Sequence, residues 1–267
     1  MSDTRAISMP PELHGISAKL HRADANIQHI NSLINEFIRQ NRNSYRVSKG
    51  FDAEGTRYVF KAAGEVPMDL RIPVFAGETV HHLRSVFDHL VVALVRKNGK
   101  RPHRGNYFPV AHSREKFEKA INDGYIRGVS DAARADIERV QPYHHSIPQD
   151  TVLAAVHYLD IVDKHRLLLT VTCGATMDDL ITTNPRQPVT FTGLSAPRLV
   201  PLTNEEQEVF YIDILPAHAD FDADMKLALR VTFEKIGTVE HLGVVEMLTR
   251  LSEGTKQLIS EFVPHFQ

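Results

Sequence analysis

Apolar residues recur at alternating intervals of three and four along the first part of the chain. This spacing is typical of a helix with one apolar stripe, and we expect a single long helix over about residues 11–41. The stripe consists of Leu13, Ile16, Leu20, Ala23, Ile27, Ile30, Ile34 and Phe37. A long helix needs a long partner, and residues 238–263 carry a second apolar stripe that ends at Pro264. We therefore predict that the two chain ends pair as antiparallel helices in a single domain, 1–267.

Two further segments are apolar on almost every side, which is typical of helices buried in a core. One is predicted over 77–97, with Gly77 at its start, and the other over 150–172. Two shorter helices are predicted between them, at 113–122 and 130–140.

Apolar and polar residues alternate with a period of two in other parts of the chain, as strands require. The predicted strands are 57–62, 69–75, 188–193, 208–215 and 225–234. The resulting fold class is α+β. It has a long N-terminal helix paired with the C-terminal helix, two buried central helices, and an antiparallel sheet of five or six strands.

Composition narrows the class of protein. The 267 residues carry a formal net charge of −2, which argues against a general nucleic-acid coat or a membrane-surface protein. The single cysteine, Cys173, excludes an intrachain disulfide and a cysteine-based zinc site within one chain. The first residues lack the apolar core of a signal peptide, and no run approaches the roughly 18 apolar residues of a membrane span. We expect a cytoplasmic protein without a membrane partner.

Charged side chains interrupt the apolar pattern of the helix predicted over 77–97. Arg84 and Asp88 are four residues apart and share one face, with His81 three residues before Arg84. A neighbouring stripe is formed by Glu78, His82, Ser85 and His89. Because an unpaired buried charge costs several kcal/mol, these groups need partners. One interpretation is that Arg84 and Asp88 pair with each other and with loop carbonyl groups to hold the helix in place.

The second central helix also carries polar residues, namely His157, Asp160, Asp163, Lys164 and His165. Asp160 and Lys164 form an ordinary pair four residues apart. All of these residues are explained by a buried ion network between the central helices, in which Arg84 reaches Asp160 or Asp163. In that interpretation the protein is a non-enzymatic binding or interaction module.

Four phrases of the sequence resemble those of a scattered group of bacterial proteins that have no assigned activity. They are GETVHHLRSVFDHL, FPV, QPY and HYLDIVDKHRLL, and they span roughly the first two thirds of the chain. This resemblance implies relatives and brings no function with it.

Arg84 and His89 form an R-x-x-x-x-H motif on a helix, which resembles the signature of the HEPN superfamily and its metal-independent ribonucleases. The resemblance implies a homodimer in which two copies of the motif face each other and act on a scissile phosphate without a cofactor. The candidate catalytic residues are then Arg84, Asp88 and His89. A guanidinium group binds phosphate through two parallel hydrogen bonds, and an imidazole transfers protons near neutral pH.

The helix leads directly into a basic loop, whose candidate RNA-binding residues are Arg96, Lys97, Lys100, Arg101, Arg104 and Tyr107. Basic residues beside an aromatic ring can hold a phosphate backbone and stack a base. A solvated surface loop has the same composition. On these grounds the favoured function is an RNA-cleaving or RNA-binding dimer, with RNA, a second copy or another protein as partner. The non-enzymatic module is the alternative.

A metal site is a third interpretation. Glu78 and His82 lie four residues apart, and His157 and Asp160 lie three apart. Both are ligand-like spacings on helices that could face each other. If the four side chains converge, the protein is a bundle-type metallohydrolase.

Overall fold

The computed structural model describes residues 10–165, 171–182, 188–233 and 242–267. Within these ranges the α+β class is confirmed. The helices are α1 (His14–Asn41), α2 (Arg71–Lys97), α3 (Arg114–Asn122), α4 (Asp131–Arg139), α5 (Val152–His165) and α6 (Val244–Ser260). The strands are β1 (Arg46–Phe51), β2 (Arg57–Ala63), β3 (Val171–Thr182), β4 (Thr190–Leu194), β5 (Val200–Pro201), β6 (Gln207–Leu215) and β7 (Ala223–Phe233).

The strands form two antiparallel sheets instead of the predicted single sheet of five or six strands. One has four strands in the order β1-β2-β6-β4, and the other has three in the order β5-β3-β7. The central strand of the second sheet, β3, was not predicted, because its first residues were assigned to a helix over 150–172. That helix prediction was too long: α5 ends at His165, and Val171 already belongs to β3. The Val and Thr residues that open β3 favour extended backbone.

The strand predicted over 69–75 was wrong, because this segment contains the start of α2. The Asp69 carboxylate accepts a hydrogen bond from the backbone N–H of Arg71 (3.0 Å), which satisfies a donor that the first helical turn leaves free. Pro73 is compatible with this position, since the first turn requires no N–H from it. Gly77 therefore lies inside the helix and does not start it.

The N-terminal helix contacts the C-terminal helix as predicted. Asp24 of α1 accepts hydrogen bonds from Ser252 Oγ (2.7 Å) and Lys256 Nζ (2.7 Å) of α6. The helix predicted over 238–263 begins at Val244 in the structure, and its residues 238–241 lie outside the described ranges.

A second partner of α1, which the sequence did not indicate, is α2. Asn26 donates to Glu78 (3.5 Å), and the His29 ring packs edge-on against Phe75 with 4.6 Å between ring centroids. The residue numbers of the contacting residues increase along α1 as they decrease along α2, so the two helices are antiparallel.

The helices α2 and α5 are also antiparallel, and their contact positions the candidate site. Three contacts set the register: Gly77 lies against Asp163, His81 bonds to Asp160, and Arg84 bonds to His157. A Cβ at position 77 would overlap the Asp163 carboxylate. The glycine thus permits close approach of the two helices.

Enclosure between α1 and α5 explains why α2 is apolar around most of its circumference. Val80, Leu83, Val86 and Leu90 are all fully buried. No helix in the described ranges, α2 included, is both long and apolar enough to cross a membrane.

Candidate functional site

Arg84 lies in the interface between α2 and α5 with only 10% of its side chain exposed. Its guanidinium group donates three hydrogen bonds: from Nη1 to Asp88 Oδ1 (2.9 Å), from Nη2 to the Phe108 carbonyl oxygen (3.1 Å), and from Nε to His157 Nδ1 (3.3 Å). These partners come from α2 itself, from the loop after it and from α5. One side chain thereby connects three separate parts of the chain.

The loop that Arg84 holds, residues 106–111, passes through the core. Phe108 within it is 1% exposed, so its backbone groups cannot reach water and need partners inside the protein. Asp88 Oδ1 accepts from the Phe108 N–H (2.9 Å), while Arg84 binds the carbonyl oxygen of the same residue. The ion pair Arg84–Asp88 therefore satisfies both backbone groups of Phe108.

Gln141 holds the same loop from the opposite side, and the sequence did not reveal this. Its side chain is fully buried; Oε1 accepts from the Ala111 N–H (2.9 Å), and Nε2 donates to the Pro109 carbonyl oxygen (3.0 Å). A glutamine before a proline in a predicted loop gives no sign of burial. The FPV and QPY phrases are thus in direct contact, because Gln141 binds the loop that contains Phe108.

His157 is held as a neutral imidazole. Burial and the positive charge of Arg84 lower its pKa to about 4. Because Nδ1 accepts the hydrogen bond from Arg84, the single ring proton resides on Nε2, which leaves this atom as a hydrogen-bond donor.

The acidic residues of α5 do not bind Arg84, in contrast to the predicted network. Asp160, only 3% exposed, bonds instead to His81 Nδ1 (3.1 Å) and Lys164 Nζ (2.5 Å). Asp163 lies over Gly77, and its pKa is raised by burial and by the Asp160 carboxylate. His165 is exposed at the end of α5. The network therefore extends along the α2–α5 interface as two adjoining groups, one centred on Arg84 and one on Asp160.

The two residues of the R-x-x-x-x-H motif face different elements. A separation of five residues corresponds to roughly 140° around a helix axis. Arg84 faces α5, whereas His89 faces α1, where it lies beside Gly15. Burial and the charge of Lys19 lower the pKa of His89. Within one chain the motif does not form a paired Arg–His site.

The four metal-ligand candidates are divided between two interfaces. Glu78 bonds to Asn26 of α1, and Lys19 and Arg22 of α1 lie near His82, whose pKa is lowered by burial and by Lys19. The other two, His157 and Asp160, belong to the α5 interface. No group of three or more His, Cys, Asp or Glu side chains suited to a metal ion occurs among the residues that the structure describes. The predicted four-ligand site is not formed.

The basic loop after α2 is mostly solvent-exposed. Arg96, Lys97, Lys100, Arg101 and Arg104 are all exposed, although Lys97 Nζ also donates to the Phe266 carbonyl oxygen (3.0 Å). Tyr107, with 48% of its surface exposed, packs edge-on against Tyr125. Among these predicted RNA-binding residues, Tyr107 alone lines a pocket beside Arg84.

This pocket has a volume of about 490 Å³ and adjoins the buried network. We call it the cationic pocket; its lining includes Arg84, His157, Tyr107, Phe108, Lys116 and Lys119. The two lysines belong to α3 and were not among the predicted site residues. Their spacing of three residues places them on one helical face, which is the only sign of them in the sequence.

We predict that Arg84→Met lowers the free energy of unfolding by about 3 kcal/mol or more. The substitution leaves His157 Nδ1 and the Phe108 carbonyl oxygen without a donor, and it removes the positive charge beside Asp88, which keeps only its bond from the Phe108 N–H. Arg84→Lys should be intermediate, since an ammonium group cannot reproduce the planar arrangement of the three bonds. Urea denaturation measures the difference. The matched control is Arg96→Met, at an exposed position of the same helix, which is expected to change stability by less than about 1 kcal/mol. Equal midpoints for Arg84→Met and wild type would contradict a structural role.

We predict that acidification destabilises the fold through His157. Its pKa is about 4 in the folded state, against an ordinary value of 6.5. Between these values the unfolded chain binds a proton that the folded chain does not. The free energy of unfolding therefore falls as the pH decreases from about 6.5 to 4, by about 2 kcal/mol once solvent screening at this partly exposed position is allowed for. Other histidines with lowered pKa values act in the same direction.

The measurement is the free energy of unfolding against pH for wild type, His157→Asn and the exposed control His145→Asn. The side-chain oxygen that His157→Asn introduces can still accept from Arg84, but the amide does not titrate. The curve of this variant should therefore be flatter in this range, while that of His145→Asn should parallel wild type. Three parallel curves would show that His157 does not cause the effect.

No protein-family model matches the sequence, and neither the curated proteins nor the solved structures contain a significant match to it. The resemblances to a group of bacterial proteins and to the HEPN superfamily therefore stay predictions. The geometry of the cationic pocket and of the network behind it is the structural feature that bears on function.

Proposed function

We propose that this chain is a non-enzymatic binding module that holds an anionic ligand in the cationic pocket. The proposal rests on the hydrogen bonding of Arg84. Its guanidinium group is already bound by Asp88, His157 and the Phe108 carbonyl oxygen. Arg84 thus forms part of the pocket wall with its charge balanced by Asp88, while its hydrogen bonds serve the fold.

Groups at the mouth of the pocket are available to a ligand. Lys116 and Lys119 are exposed and line it, and neither has a carboxylate partner among the residues that the structure describes, unlike Arg114 of the same helix, which pairs with Glu118 (3.2 Å). His157 adds a neutral N–H donor. A small number of polar groups that converge in a concave site is typical of small-molecule pockets.

The separation of Arg84 and His89 favours binding over cleavage. General acid–base catalysis on a phosphate requires its groups within hydrogen-bond reach of the reacting atoms. Arg84 is 10% exposed toward α5, and His89 lies on the opposite interface. A composite site would need a second chain to bring its own motif to each of these positions.

RNA is a second candidate ligand, favoured by the basic loop that leads to the pocket. Exposed Arg101 and Arg104 precede Tyr107, whose half-exposed ring at the pocket offers a surface for base stacking. A phosphate of the backbone would then occupy the cationic pocket. In this version the chain acts as a homodimer that binds single-stranded RNA, with cleavage dependent on His89.

We predict that inorganic phosphate and butyrate, used as small-anion probes, perturb the His157 imidazole resonance in an NMR titration at constant ionic strength. In Lys116→Ala/Lys119→Ala the dissociation constant should rise at least about tenfold, because the charged groups at the pocket are lost. The matched control removes two exposed lysines of the sheets, Lys61→Ala/Lys226→Ala, and should bind as wild type does. Equal affinity in all three proteins would overturn the proposal.

We predict for the RNA candidate that a fluorescent single-stranded oligoribonucleotide binds with strong salt dependence. Arg101→Ala/Arg104→Ala should weaken it and reduce the salt slope, since phosphate contacts are lost, while butyrate binding stays unchanged. Cleavage in the presence of EDTA, absent in His89→Ala, would support the ribonuclease version. Retention of RNA affinity in the double variant would show that the basic loop does not bind RNA, and no affinity in the wild type would remove RNA as a candidate. Either result leaves the small-anion proposal intact.

A further inference from the structure

A second cavity of about 710 Å³ lies between α5 and α6. We call it the apolar groove; its wall includes Ala154, Ala155, Tyr158, Ile161, Met247 and Leu251. Tyr158 and Ile161 are 49% and 41% exposed, which is high for large apolar side chains on a helix of the core. Exposed apolar surface in a concave site is typical of a place where an apolar ligand binds.

The groove and the cationic pocket lie next to each other. Val110, Lys116 and His157 line both cavities. The combined cleft therefore has a positively charged end, at α3 and the 106–111 loop, and an apolar end between α5 and α6. Such a cleft is complementary to a molecule with an anionic head and a hydrocarbon body.

The charges at the polar end match a single negative charge. Asp88 compensates Arg84 within the network. Of the other charged side chains that line the pocket, Lys116 and Lys119 are positive and Asp123 is negative, so that one positive charge remains. Lys116 is located where the cavities meet. At the apolar end, Asp150 and Arg250 both have interactions within the chain. A carboxylate fits this balance better than a phosphate dianion does.

The shape of the apolar end suits a long unbranched chain. The two adjacent alanines of α5 leave space between the helices, and Tyr158 and Ile161 extend the wall along the same helix. From Ala154 to Ile161 the groove follows α5 for roughly 10 Å. A ligand lying along it would cover both exposed side chains.

We infer that the cleft binds a long-chain aliphatic carboxylate. Its head group lies at Lys116, with the His157 N–H as a hydrogen-bond donor, and its chain lies in the groove between α5 and α6. This inference rests on the proposed function, because it assigns a ligand class to the same anion site. The dependence of binding on the length of the ligand's hydrocarbon chain distinguishes this inference from the proposed function.

The experiment is calorimetric titration of the full chain with butyrate, octanoate, decanoate and dodecanoate below their micelle concentrations. Each added CH₂ that enters the groove should tighten binding by roughly three- to fourfold. Dodecanol, which has the same chain without the charge, should bind at least about tenfold more weakly than dodecanoate. In Lys116→Ala this preference for the carboxylate should disappear.

The blocking variant is Ala155→Leu, which places a branched side chain in the groove at a partly exposed helical position. It should abolish the dependence on chain length and leave butyrate affinity unchanged. Its melting temperature establishes that it folds, and Ile161→Asn, at an exposed position of the same wall, is a second variant with the same expected result.

The outcomes are distinct. If butyrate binds and longer chains bind no better, the inference is overturned and the proposed anion site stands. If no carboxylate binds, both fail. If dodecanol binds as well as dodecanoate and Lys116→Ala changes neither, the groove accepts apolar groups without the anion site, which overturns the inference. Dimerisation of the wild type that Ala155→Leu prevents, seen by analytical ultracentrifugation, would assign the groove to a second copy and overturn it as well.

Discussion

The arrangement of this protein depends on satisfying one buried guanidinium group. Arg84 sits where α2 and α5 pack, and leaving a charge there without partners would cost several kcal/mol. Its three bonds draw Asp88, His157 and the 106–111 loop to the same point. The loop in turn brings Phe108 into the core, where a loop would otherwise leave backbone groups without partners. Gln141 completes this arrangement from the other side.

Helices with regular periodicity were predictable from the sequence, and segments governed by tertiary contacts were not. The stripe of α1 is visible because burial on one side imposes a spacing of three and four. The segment 69–75 alternates like a strand, yet it contains the start of α2, where Asp69 accepts from the Arg71 N–H and a proline is tolerated in the first turn. Likewise, β3 is central in a sheet of three strands, and this pairing is a long-range property that no local pattern in 171–182 reveals.

From the sequence, the candidate site was predictable only where charged residues interrupt an apolar helix. Arg84, Asp88 and His157 stand out because polar residues on buried helices need partners. Their actual partners, however, include the backbone of Phe108, which no side-chain pattern encodes. Lys116 and Lys119 lie on a short exposed helix of ordinary composition, and only the packing of α3 against the 106–111 loop makes them part of a pocket. Because α2 is enclosed on two sides, the metal-ligand candidates are likewise separated in space: Glu78 and His82 lie on one side, and His157 and Asp160 lie on the other.

A structural network and a binding site need not be alternatives here. The same bonds that commit Arg84 to the fold also place His157 with Nδ1 turned to the guanidinium group, which fixes its proton on Nε2. Because Arg84 also helps to lower the pKa of His157 to about 4, the imidazole stays neutral at physiological pH. It can therefore donate a hydrogen bond to an anion without titrating in this range. Positive potential comes from Lys116 and Lys119, which line the same pocket, since Asp88 compensates the charge of Arg84. Donors held in a fixed orientation before the ligand arrives lower the entropic cost of binding, and here that rigidity arises from the buried bonds of the network itself.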